Sequence, residues 1–157
     1  MRARHSPNWL FAIRRFAIAV AIGNLVWEFG QAPLYTLWQT GTAKEITFAA
    51  LHCTAGDLMI ASVSLLLALV LVGSAEWPLR HIVPVIAATV AFGVIYTIFS
   101  EYVNTVLRGS WSYSRLMPRV PWLGTGLAPL AQWTAIPTLS LAWACRSTAG
   151  KATPAGG

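Results

Sequence analysis

The sequence predicts an all-α membrane protein, a bundle of four transmembrane helices with both termini in the cytoplasm. Composition is the first reason: 56% of the residues are hydrophobic and 10% are charged, a balance too apolar for a soluble domain. The second is length, because 157 residues divide into four apolar stretches of about 20 residues with short connections. The third is the placement of basic residues. Arg2, Arg4, Arg14, Arg15, Arg80, Arg146 and Lys151 fall on one side of such a bundle, against Lys44, Arg108, Arg115 and Arg119 on the other. The positive-inside rule assigns the richer side to the cytoplasm. The net charge of +6 therefore reads as topology. No dense basic run or basic helix face is present, so nucleic acid is not expected as a partner.

In chain order, residues 1–15 form a basic leader in which Trp9, Leu10 and Phe11 suit the headgroup region. The first span covers 16–38, with Pro33 expected to kink its outer end. The alternative is a signal peptide with Phe16 to Trp27 as its apolar core and Gly30-Gln31-Ala32 as the cleavage site. Apolar and aromatic residues that continue to Trp38 favour an uncleaved span. A short polar connection, Gln39 to Ile46, leads to a second span at 49–73, and a tight turn with Trp77-Pro78 leads to a third at 81–103. Ala87 and Ala91, near Gly93, suggest a small-residue face for close helix contact. The longest connection, 104–121, is rich in Trp, Tyr, Arg and Pro and fits a loop on the outer membrane face, anchored by Trp111, Tyr113 and Trp122. A fourth span follows at 122–145, kinked at Pro137, and then a small, polar tail at 146–157. Cys53 and Cys145 belong to opposite leaflets, beyond disulfide reach.

Polar residues inside apolar spans carry the functional signal. Asn24, Glu28, Gln31 and Tyr35 recur at helical spacing on one stripe of the first span, with Trp27 beside Glu28. A carboxylate at bilayer depth costs about 2.5–3.5 kcal/mol, so it is expected to face a bundle interior or watery cavity. In a four-span topology His52 and Asp57 lie in the outer half of the second span. Glu101 and Asn104 end the third, and Gln132 and Trp133 lie below the outer end of the fourth. Nearly every strongly polar residue thus falls in the outer half, which predicts one outward-opening polar pocket bounded by the loop residues Trp111 and Tyr113. Each has a structural alternative. Glu28 could tie helices together, Asp57 could cap a helix that begins after LHCTAG, and His52 could be an interface residue. Glu101 could pair with Arg108 or Arg115, and Gln132 could satisfy backbone freed by Pro137.

These residue types limit the chemistry. Haem is not expected, because His52 and His81 belong to opposite leaflets. A metal site from His52, Cys53 and Asp57 lacks a second nearby histidine or a paired-cysteine motif. No nucleophile elbow, phosphate loop or dinucleotide fingerprint occurs. No cofactor is predicted. What remains is acid and base chemistry by Glu28, Asp57, Glu101 and His52, with Asn24, Trp27, Gln31, Tyr35, Asn104, Trp111, Tyr113, Gln132 and Trp133 binding the substrate.

The motifs NLVWEFGQAPLY, LHCTAGDLMIA, YTIFSEYVN, WSYSRLMP and LGTGLAPLAQW resemble a family of small four-span inner-membrane proteins of proteobacteria. That resemblance implies a bacterial inner-membrane location and no activity. Asn24-Leu25-Val26-Trp27-Glu28, and Glu101 with Trp111-Ser112-Tyr113, also look similar to elements of integral-membrane terpene and carotenoid cyclases and sterol-isomerase-type folds. This chain is shorter, and LHCTAGD has no counterpart there. The second likeness implies that Glu28 or Asp57 protonates an alkene, Glu101 accepts a proton, and Trp27, Trp111 and Trp133 stabilise a cation. The expected function is acid–base chemistry on, or binding of, an isoprenoid or other lipid-soluble substrate. The alternatives are a proton-coupled carrier, with a homodimer expected, and a non-catalytic membrane subunit.

Overall fold

Local capping signals set the helix limits. The computed structural model describes residues 8–149, so Arg2, Arg4 and His5 of the leader, and Lys151 with the tail from 150 onward, lie outside the described residues. Helix α1 is Trp9–Gln31. It starts at Trp9, not at Phe16, because the Asn8 side chain accepts a hydrogen bond from the Phe11 N–H at 3.2 Å, a standard N-cap. Pro33 ends the helix instead of kinking it, and the chain passes through a 3₁₀ turn at Ala32–Leu34 into the short helix α2, Leu37–Thr40.

Helix α3, Ala43–Val72, runs for 30 residues. It starts well before Ala49 because Thr42 and Glu45 form a capping box: the Glu45 N–H donates to Thr42 Oγ1 at 3.3 Å and the Thr42 N–H to Glu45 Oε2 at 2.7 Å. LHCTAGD is therefore helix interior, and Asp57 is not a cap. Helix α4, Ile82–Tyr102, continues into a π-helical turn at Val103–Leu107. Helix α5 is Leu127–Ala149, so Trp122 lies ahead of it in the loop.

The four long helices pack in cyclic order, α1 on α3, α3 on α4, α4 on α5 and α5 on α1. Each buries one stripe at helical spacing. On α1 it is Ala12, Phe16, Val20 and Asn24; on α4 it is Val85, Thr89, Gly93, Thr97 and Glu101. The expected contact face at Ala87 and Ala91 is exposed instead. The contact belongs to Gly93, where a Cβ would collide with the indole of Trp133 on α5. At the end away from the loop, the core is Ala12, Phe16, Leu65, Ala68, Leu141, Ala144 and Cys145. There Arg15 lies over the Trp143 ring, 3.7 Å from its centroid, and Arg80 pairs with Glu76 at 3.0 Å.

Outward faces are apolar too, with Ile22, Val26, Leu66, Val70, Val83 and Ile95 all exposed. Such a surface suits lipid and not water. Three helical segments, Trp9–Leu34, Ala43–Val72 and Ile82–Leu107, are long and apolar enough to cross a membrane. Helix α5 has a less apolar sequence, its aliphatic run interrupted by Gln132, Thr134, Pro137, Thr138 and Ser140.

Replacing Gly93 with alanine should drive the Trp133 ring off α4. The expected loss is about 1–3 kcal/mol, the usual cost of overpacking a closed contact, read as a lower thermal unfolding midpoint in detergent. Ala91→Val, on the exposed face, should leave the midpoint unchanged.

Candidate functional site

Gln132 occupies the centre of the polar end. Its Nε2 donates to Asn24 Oδ1 at 2.8 Å, Asp57 Oδ2 at 2.9 Å and Glu28 Oε1 at 3.1 Å. Its Oε1 accepts from Gln31 Nε2 at 3.1 Å. Gln31 Nε2 also donates to Glu28 Oε1 at 2.9 Å, and Gln31 Oε1 accepts from the Trp27 indole at 3.2 Å. One amide group carries two hydrogens, yet three acceptors face this one. The Glu28 and Asp57 side chains also lie within hydrogen-bonding reach of each other. Two acids from different helices therefore share one donor. The structural alternative for Gln132, repairing backbone freed by Pro137, gives way to this network.

Glu101 forms a second cluster. It is buried, and its Oε2 accepts from the Tyr113 hydroxyl and from the Trp111 indole at 3.5 Å. The expected ion pair with Arg108 or Arg115 is not formed, because the loop folds inward and brings these rings to the carboxyl group first. Tyr113 in turn accepts from the Gly126 N–H at 3.0 Å, and Arg119 lies 5.0 Å from its ring centroid. The loop is also tied to the chain after α1. Ser114 N–H donates to Leu34 O at 2.9 Å, Thr36 N–H to Ser112 O at 2.9 Å, and Ser114 Oγ to Pro33 O at 3.1 Å. The rings of Tyr35 and Tyr113 sit 5.5 Å apart. The predicted surface anchoring by Trp111 and Tyr113 is thus overturned, and only Trp122 of that trio is fully exposed. Burial, and next the bond to Glu101, push the Tyr113 hydroxyl above its ordinary phenol value.

Between the clusters lies a partly open cavity of about 390 Å³, within the range of small-molecule sites. Glu28, Gln31, Tyr35, His52, Asp57, Glu101, Asn104, Trp111, Gln132 and Trp133 all line it. Asn24 lies behind Gln132, Trp27 supports Gln31, and Tyr113 supports Glu101. His52 is exposed at the rim and stacks on Phe48, with ring centroids 5.8 Å apart. Asn104 turns its amide back on its own helix, donating to Ser100 O at 2.9 Å. Among the described residues, no group of three or more His, Cys, Asp or Glu side chains could hold a metal ion.

Sequence reasoning missed Cys53, Ile60, Trp38, Tyr96 and Thr97 as lining residues. Thr97 was findable, one helical turn before Glu101. Cys53 and Ile60 flank Asp57 at spacings of four and three and were findable in the same way, since the expected span 49–73 already covers them. No known protein family, curated protein or solved structure matches the chain. Function has to be argued from the cavity.

Two outcomes test this geometry. Gln132→Leu should take the donor from Asn24 Oδ1 and Asp57 Oδ2, leaving Glu28 Oε1 with Gln31, and lower stability by about 1–3 kcal/mol, seen as a lower unfolding midpoint, whereas Thr134→Val on the exposed side of α5 should be near neutral. Tyr113→Phe removes the donor to Glu101 and the acceptor for Gly126. Amide hydrogen exchange across 108–126 should then accelerate while the α1 and α3 interiors keep their protection.

Proposed function

We propose that the chain is a four-span protein of the bacterial inner membrane, with both termini cytoplasmic and the cavity open to the periplasm. Its function in this reading is acid–base chemistry on, or binding of, an isoprenoid or other lipid-soluble molecule. The observation that carries it is the Glu28–Gln132–Asp57 arrangement on the wall of a cavity that is largely apolar and aromatic. Two carboxyl groups so close repel as anions, and a proton held between them removes the repulsion. The pair can then donate that proton to a bound molecule or take one from it. Glu101 is the less available acid, because Tyr113 and Trp111 occupy its Oε2. Its role here is to hold the loop over the cavity. His52 on the rim can relay protons to water.

A proton-coupled carrier is the second reading. It needs a path through the apolar end, where Phe16, Leu65 and Leu141 close the core, so the enzyme or binding protein is preferred. In the third reading, a structural subunit, the acids only hold helices together.

One variant separates these. Glu28→Gln preserves the size and hydrogen-bonding capacity of the side chain, so the folded protein and its co-purifying lipid, identified by mass spectrometry, should persist while conversion of that lipid stops. Flux in proteoliposomes that follows a pH gradient would favour the carrier, and loss of folding alone the structural subunit. Topology has its own check: in a Cys53→Ser, Cys145→Ala background, Ser110→Cys should react with an impermeant maleimide in spheroplasts, and Arg80→Cys only after the membrane is opened.

A further inference from the structure

We infer that the molecule held in the cavity is a lipid-soluble amine or quaternary ammonium ion, an organic cation on an apolar body. This deepens the acid–base reading above and rests on it. Charge is the first reason. Three carboxyl side chains, from Glu28, Asp57 and Glu101, line the cavity, and among the described residues no lysine or arginine lines it. The one basic side chain on the wall among those residues is His52, at the exposed rim. Acids this deep in an apolar fold are costly without a partner cation. Amides, an indole and a phenol already meet them, but none of these supplies positive charge.

The second reason is the shape and chemistry of the wall. Trp38, Tyr96 and Trp133 line the same space from α2, α4 and α5. Aromatic faces attract cations, and more strongly where water is displaced. The rings come from separate helices and share the cavity wall with the acids. The apolar remainder of the wall, including Ile46, Ala49 and Ile60, suits a hydrocarbon body. A free metal ion is a poor fit to such a surface, and an inorganic anion would meet only acidic charge. A cavity of about 390 Å³ accommodates an aromatic or branched amine of modest size.

Benzyltrimethylammonium and neopentylbenzene form a matched probe pair, almost the same in shape and differing in charge. Radiolabelled benzyltrimethylammonium should bind the purified protein saturably in a neutral detergent, and equimolar neopentylbenzene should not displace it. Glu28→Gln and Asp57→Asn should each weaken binding by roughly tenfold or more, with circular dichroism and gel-filtration profiles unchanged. Trp133→Leu should also weaken binding, by loss of its ring from the wall. Glu76→Gln, at the opposite end, should bind as the parent does. Displacement by the neutral probe, or undiminished binding in both acid variants, would overturn the amine class. In that case binding of the labelled neutral probe itself would leave the acid–base reading on a lipid-soluble molecule standing. Failure of both probes to bind saturably would remove both.

Discussion

Everything at the polar end depends on one amide, that of Gln132, reaching acids and amides on two other helices. In surroundings with little else to bond to, Asn24, Glu28 and Asp57 each need a donor, and the Gln132 Nε2 is within 3.1 Å of all three. Interhelical hydrogen bonds in membranes are individually modest, averaging about 0.6 kcal/mol. Their larger effect is on register: a shift of α5 by one residue would turn the amide away from every partner. The Trp133–Gly93 contact fixes the same stretch of α5 against α4. Adjacent residues on one helix thus lock it to three neighbours, one by polarity and the other by shape.

The division of the interior into a polar end and an apolar end follows from that lock. Helices that alternate in direction bring the C-terminal halves of α1 and α4 beside the N-terminal halves of α3 and α5. Polar residues at those four positions meet, and the space they cannot fill becomes the cavity. Beyond Asn24, the α1 stripe continues with Val20, Phe16 and Ala12 toward the opposite end, and the core there closes with aliphatic and aromatic side chains. The chamber is thus closed at one end and walled by acids and rings.

Glu101 shows how a carboxyl group that reads as a catalyst can serve as an anchor. Tyr113 and Trp111 converge on it from the loop, while backbone bonds from Ser114 and Thr36 tie that loop to the turn after α1. The result is a strap that joins the ends of α1, α4 and α5 above the cavity. Trp111 and Ser110 of this strap form part of the cavity wall.

Composition and apolar periodicity alone determined the helical class, and three helices of membrane-crossing length follow from uninterrupted aliphatic runs, which leave a backbone in lipid no alternative but to bond to itself. The gathering of Glu28, Asp57, Glu101 and Gln132 at one end of the bundle was also legible, because depth along a helix is linear in residue number. Helix limits were less so: the Thr42–Glu45 box and the Asn8 cap are short local signals that apolar runs overshadow. Which partner each polar group takes was decided by tertiary structure. Glu101 had arginines close by in sequence and found a tyrosine, and Gln132 had a proline to repair and found two acids. Sequence spacing orders residues along one helix, whereas hydrogen-bond partners depend on the rotation of each helix about its axis, which only packing against the others sets.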